Sequence, residues 1–261
     1  MNLQGKDNLV KWRKPAFFLS ITAMLVGLLF SRALLSSGLI FFAFISLFHK
    51  NIIQQLKDFV TSPVLWSMSL LFVLPAISGF WSEDISQWAQ ILRIKLPLLL
   101  LSVCFAGEIN FKFKDWEKIS FVLLVIMFVG TGQYFKNIND INAAHLKAHT
   151  IETPLGNDHV QFSLLVVIAV FTGVFLLMET GKSFKKVHKA LLLILAISQL
   201  VYLHVLAVRT GLICFYVCGF ISLIWLVSQH KRKSYLLIFF FLLPITFYFI
   251  LPTFRNKIHY L

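Results

Sequence analysis

Apolar stretches of roughly membrane-crossing length recur along this chain, separated by short connections rich in lysine. Hydropathy draws nine of them, at about 15–30, 33–48, 64–80, 87–106, 119–135, 160–178, 190–207, 211–228 and 234–252. Their apolar residues run all round a helix instead of alternating, so the expected fold class is an all-α polytopic membrane protein with about nine transmembrane helices. The fourth stretch is the weakest, because Arg93 and Lys95 occupy its first half. Ser82 or Asp84 is expected to cap a helix that begins on the membrane surface with Trp88 and enters the bilayer near Pro97. No internal repeat, P-loop, Rossmann glycine pattern or heptad region is present.

The longest uninterrupted apolar run extends from Ala190 to Ser228, between Lys189 and the Lys231-Arg232-Lys233 cluster. As one helix it would measure roughly 58 Å, about twice the hydrocarbon thickness, so it must fold into two antiparallel spans. The turn then falls near residue 209, and Arg209 is the only charged residue in the run. An arginine there is expensive unless it snorkels or binds something. Thr210 is expected as the N-cap of the second span, with Gly211 permitting a tight turn. Unpaired backbone N–H groups, a positive helix end and a guanidinium together suit a phosphate-sized anion. The plainer alternative is that Arg209 only marks the membrane interface.

Lysine and arginine distribute unevenly between the alternate sides that nine spans define. The side carrying the N-terminus, with Lys11, Arg13, Lys14 and the Lys182–Lys189 group, holds 16 of the 24, and the other side 8. This places the N-terminus in the cytoplasm and Arg209 on the outer face. The bias also accounts for the formal net charge of +13, which in a soluble protein would point to nucleic acid. With 58% hydrophobic and 13% charged residues and a mean hydropathy of +0.81, a soluble domain is excluded, and no nucleic-acid partner is expected. Cys104, Cys214 and Cys218 all lie in apolar segments, where packing is their simplest use. The transmembrane domain spans 1–252, and 253–261 read as the start of a truncated outward loop.

Two further outward-facing groups are candidates for substrate contact. Arg93 and Lys95 lie near the outer headgroup level, where interfacial snorkelling is the competing reading. Gly156-Asn157-Asp158-His159 stands at the entrance to the sixth span; Asn157 and His159 are the candidate contacts, and a helix start capped by Asn157 or Asp158 is the competing reading. His145 and His149 are four apart, but a zinc site needs a third ligand, for which Glu152 and His159 qualify only by nearness in sequence. No metal and no cofactor is expected. Nucleophile elbows, H-E-x-x-H and D-x-D motifs are missing, which argues against a metal-dependent sugar-nucleotide transferase.

Leu74-Pro75-Ala76-Ile77-Ser78-Gly79-Phe80-Trp81-Ser82-Glu83-Asp84, followed by Leu92-Arg93-Ile94-Lys95-Leu96-Pro97, resembles the amino-terminal half of bacterial O-antigen ligases and their polymerase relatives. Val208-Arg209-Thr210-Gly211 resembles the Ser-Arg-(Ser/Thr)-Gly signature of that family, with Val208 in place of the usual serine. The resemblance implies a membrane glycosyltransferase of lipopolysaccharide biosynthesis in the cell envelope, multi-pass in the bacterial inner membrane. Its donor would be a glycan on undecaprenyl pyrophosphate and its acceptor lipid A core or another glycan, transferred at the periplasmic face among membrane lipids. Arg209 inherits the donor-pyrophosphate role, with Thr210 and Gly211 beside it. The catalytic histidine of relatives lies in a large periplasmic loop after the ninth span, beyond residue 261, and His259 does not match it by position. O-antigen polymerase and protein O-oligosaccharyltransferase activities stay open as alternatives. Rivals of another class are a lipid-linked saccharide transporter component, which would call for acidic residues in mid-span, and a non-catalytic fragment.

Overall fold

A computed structural model describes residues 3–48, 52–107, 111–134, 158–179, 186–229 and 235–250, with side chains from Trp12 onward and excepting residue 239. Ten α-helices account for nearly all of these residues, and no strand occurs among them. They are α1 (Leu3–Phe30), α2 (Arg32–Leu47), α3 (Ile52–Thr61), α4 (Pro63–Ser78), α5 (Ile85–Phe105), α6 (Phe113–Tyr134), α7 (His159–Glu179), α8 (Lys186–Leu206), α9 (Arg209–Gln229) and α10 (Tyr235–Ile250).

Each of the nine hydropathy segments contains a helix, yet among the described residues six helices are long and apolar enough to cross a membrane unaided, or seven if α2 and α3 form one bent span. α2 and α10 have 16 residues each, about 24 Å, which is short of a typical hydrocarbon core. Many large apolar side chains point outward, Phe80, Phe249 and Ile94 among them, as expected where lipid and not water is the surrounding medium. This is the architecture of an all-α, multi-pass membrane protein.

The chain divides into two compact units, Met1–Ile119 and Ser120–Leu261. In the first, α1 and α2 form a tight hairpin joined by the single extended residue Ser31, whose hydroxyl accepts from Leu34 N–H at 3.4 Å. Backbone contact is so close there that a Cβ on Gly27 would collide with the main chain at Leu35. Phe17, Ile21, Phe42, Ala43, Cys104 and Ile119 form the buried core, with Phe17 and Phe42 edge to face at 5.4 Å. An ion pair closes one end: Lys14 Nζ lies 2.6 Å from Asp115 Oδ2, which also accepts from Lys112 N–H. The Lys14 ammonium, then the Lys112 amide, hold the Asp115 carboxyl below its ordinary range.

Asp84 caps α5, its Oδ1 accepting from Gln87 N–H at 3.0 Å, as the sequence predicts. Trp88 does more than lie at a surface. Its indole N–H donates to the Pro75 carbonyl at 2.9 Å, and its ring fills the space a side chain on Gly79 would take. The Pro75-to-Trp88 sequence therefore works as a locked hairpin between α4 and α5.

The sequence reading passes over α3 as a connection. Ten residues are too few to register as a span, and half of them are polar, although they segregate to one side of the helix. What fixes α3 is Gln55, buried and donating to Ser46 Oγ at 3.0 Å and to the Val103 carbonyl at 2.8 Å. Ser46 in turn donates to the Cys104 carbonyl. Two carbonyls in the last turn of α5 thus receive side-chain donors.

Candidate functional site

The second unit contains the predicted turn. α8 ends at Leu206 and α9 begins at Arg209, so the long apolar run does fold back where its only charge lies. The local chemistry differs from expectation in two ways. Ala207, not Gly211, takes the left-handed backbone conformation, with φ 48°, and its N–H bonds to the Leu203 carbonyl at 3.1 Å to close α8. Val208, not Thr210, holds the cap position, because its carbonyl accepts the first α9 bond, from Leu212 N–H, at 3.0 Å. Thr210 lies inside the first turn.

Valine has no side-chain oxygen to offer the helix. The amides of Arg209, Thr210 and Gly211 precede the first intrahelical donor, and among the described residues none of them meets a side-chain acceptor. Arg209 and Thr210 are exposed, and no carboxylate pairs with the Arg209 guanidinium among the described residues. The start of α9 therefore combines three amides with no intrahelical acceptor, the positive end of the helix dipole and an exposed arginine side chain.

Gly211 serves a different end from the one expected. It is buried, and a Cβ built on it would lie 2.6 Å from both Cβ and Oγ of Ser163 on α7. Phe171 of α7 meets Phe215 of α9 at 5.8 Å and approaches Gly219. Residue numbers rise together along both helices, so α7 and α9 run parallel and their N-termini open at the same end of the unit. The His159 group and the Arg209 group, distant in sequence, share that end.

The α7 terminus is nevertheless occupied. Asp158 caps it, its Oδ1 accepting from Gln161 N–H at 3.0 Å, which is the competing reading given above for this group. His159 follows as the first helical residue and is half-buried. Asn157, His145, His149 and Glu152 lie outside the described residues. Arg93 and Lys95 belong to the first unit, on the continuous helix α5, with Arg93 exposed and Lys95 half-buried. Among the described residues no three His, Cys, Asp or Glu side chains gather as a metal site would require.

Sequence reasoning missed the support beneath the turn. Residues 202–207 are all buried, and His204 lies among them. Its Nδ1 is 2.8 Å from the Leu200 carbonyl, which only accepts, so Nδ1 carries the proton. Nε2 then accepts from the Tyr216 hydroxyl at 2.7 Å, tying the last turn of α8 to the second turn of α9. Phe247 of α10 stacks on the imidazole at 3.9 Å. The available signal was the pairing of His204 and Tyr216 around the turn, twelve residues apart. A second tie joins α6 to α8, where buried Gln199 donates to Thr131 Oγ1 at 3.3 Å. The buried polar side chains of the described residues are Ser, Thr, Gln and His, without a carboxylate.

No family model, no curated protein and no solved structure matches this chain.

Proposed function

We propose that this protein is an O-antigen ligase-like membrane glycosyltransferase that takes a glycan from undecaprenyl pyrophosphate. The observation that carries the reading is the uncapped start of α9, where Arg209 stands exposed beside three unbonded amides on a helix held in place by Gly211 against Ser163. A diphosphate is the ligand such a site favours, because its charge is concentrated and arginine grips phosphate through two parallel N–H bonds.

In the proposed reaction the acceptor hydroxyl attacks the anomeric carbon, the glycosyl–oxygen bond breaks, and undecaprenyl pyrophosphate leaves with the bonding pair. Arg209 and the α9 amides stabilise charge that grows on the leaving diphosphate. Thr210 and Gly211 line the same turn, and Asn157 and His159 are further contacts on this reading. The topology that goes with it has nine spans, a cytoplasmic N-terminus and the Arg209 turn at the periplasmic face of a bacterial inner membrane. The general base is the histidine that the resemblance places in a large periplasmic loop, a role assigned to no residue of this sequence. Lipid A core is the proposed acceptor, with polymerase and protein-glycosylating relatives as variants of the same chemistry.

The test is a transfer assay on the product of the complete reading frame, reconstituted with lipid-linked glycan and candidate acceptors. Arg209→Ala is expected to abolish transfer while the protein still inserts. Undiminished glycan attachment by that variant would reject the assignment.

A further inference from the structure

The short helix α3 carries three faces on ten residues. At roughly 100° per residue, Gln55 and the half-buried Phe59 point one way, and Gln55 is bonded into the α2–α5 corner. Ile53, Leu56 and Val60 occupy the next sector and are exposed, at 71%, 47% and 68%. Gln54, Lys57 and Asp58 fill the remainder, with Gln54 Nε2 donating to Asp58 Oδ1 at 2.9 Å.

The direction of α3 explains that division. Its axis turns by 108° from that of α2. If α2 crosses the bilayer close to its normal, α3 lies nearer to the membrane plane than to the normal, and its length of roughly 15 Å adds little depth to the crossing. Its exposed apolar sector is open surface, a shallow depression bounded only by Ile53, Leu56, Lys57, Val60 and Thr61 of α3 itself. Phe41 and Phe44 on α2 and Val64 on α4, the helices before and after α3 in the chain, are likewise exposed apolar side chains.

We propose that α3 is an in-plane interfacial helix whose Ile53–Leu56–Val60 face is seated on the phospholipid bilayer, at the boundary between headgroups and acyl chains. What covers that face is lipid. Lys57, at the polar border of that face, reaches the phosphate layer, and the Gln54–Asp58 pair faces water. Gln55 holds the helix at this level by binding α3 to the α2–α5 corner. The inference depends on α2 spanning the membrane and is independent of any glycan chemistry.

Single cysteines at 53, 54, 56, 58 and 60, in a Cys214→Ala, Cys218→Ala background that leaves buried Cys104 intact, carry the test. Spin labels are read in vesicles of phosphatidylethanolamine and phosphatidylglycerol. Labels at 53, 56 and 60 are expected to be accessible to oxygen and shielded from a nickel chelate, at about 5–10 Å below the phosphates, with 54 and 58 reversed. Nickel-accessible labels at 53, 56 and 60 would overturn the proposal, as would spin–spin coupling there that reports a second copy of the chain. The unaltered protein provides a second reading that needs no variant. A phospholipid with a photoactivatable group near its glycerol should crosslink within 52–61, and its failure to do so while α2 and α4 are labelled would equally refute the proposal.

Discussion

Gly211 and Ser163 touch where two parallel helices begin, and a single methyl on Gly211 would lie 2.6 Å from the serine hydroxyl oxygen. That contact sets the depth of α9 against α7, and with it the position of Arg209 two residues earlier. Gly211→Ala is expected to destabilise the fold by about 1–3 kcal/mol through overpacking. Ser163→Gly, which removes both atoms the methyl would meet, is expected to restore most of the loss. Thermal unfolding of the single and double variants in detergent measures the coupling. Simple additivity would show that the two residues do not constrain each other.

Tyr216→Phe deletes one oxygen from the membrane interior and leaves His204 Nε2 without the hydroxyl proton it accepts at 2.7 Å. A cost of about 1–3 kcal/mol is expected. His204→Phe in the same background should be milder than the sum of the two single changes, because both ends of the bond are then apolar. A thermal denaturation cycle over the four proteins reads this directly.

The α4–α5 hairpin offers a cleaner comparison. Trp88→Phe keeps an aromatic ring against Gly79 but loses the N–H that reaches the Pro75 carbonyl. Ser78 Oγ donates to that same carbonyl at 2.8 Å, so the acceptor keeps one donor. The expected loss is about 1 kcal/mol, as for a typical hydrogen bond that is only partly buried. Limited proteolysis within residues 79–84 should accelerate in step with it.

Asp115 makes the stability of the first unit depend on pH. Its folded carboxyl titrates below its ordinary value, so its contribution is complete above about pH 4 and is lost as the pH falls through the lower folded value. Asp115→Asn is expected to lower the melting temperature at pH 7 by a small amount that salt reduces, and to flatten the acid limb. Lys14 is 43% exposed, so screening keeps the effect modest. An unchanged acid limb in the variant would assign that dependence to other groups.

Helix positions were legible in this sequence because membrane spans announce themselves by length and by all-round apolarity. The Ala190–Ser228 run had to turn near 209, and it turns at Ala207-Val208. The details of that turn were not legible. A cap or a glycine is read from local propensity, whereas Gly211 is chosen by its neighbour Ser163, 48 positions away, and Ala207 accepts a left-handed conformation that propensity assigns to glycine. α3 escaped notice because its anchor, Gln55, is polar and its partners Ser46 and Val103 are distant in sequence. Arg209 was found by the opposite route, as one charge in a long stretch of none.

Binding of a lipid pyrophosphate to the purified chain in nanodiscs tests the central claim most directly. Undecaprenyl pyrophosphate and undecaprenyl monophosphate are titrated against the wild type, Arg209→Ala and Arg209→Lys. The account predicts tighter binding of the pyrophosphate by the wild type and a loss of about tenfold or more in Arg209→Ala, equal to roughly 1.4 kcal/mol. Arg209→Lys should fall between them, since it keeps the charge and loses the fork. Equal affinity of all three proteins for the pyrophosphate would contradict it.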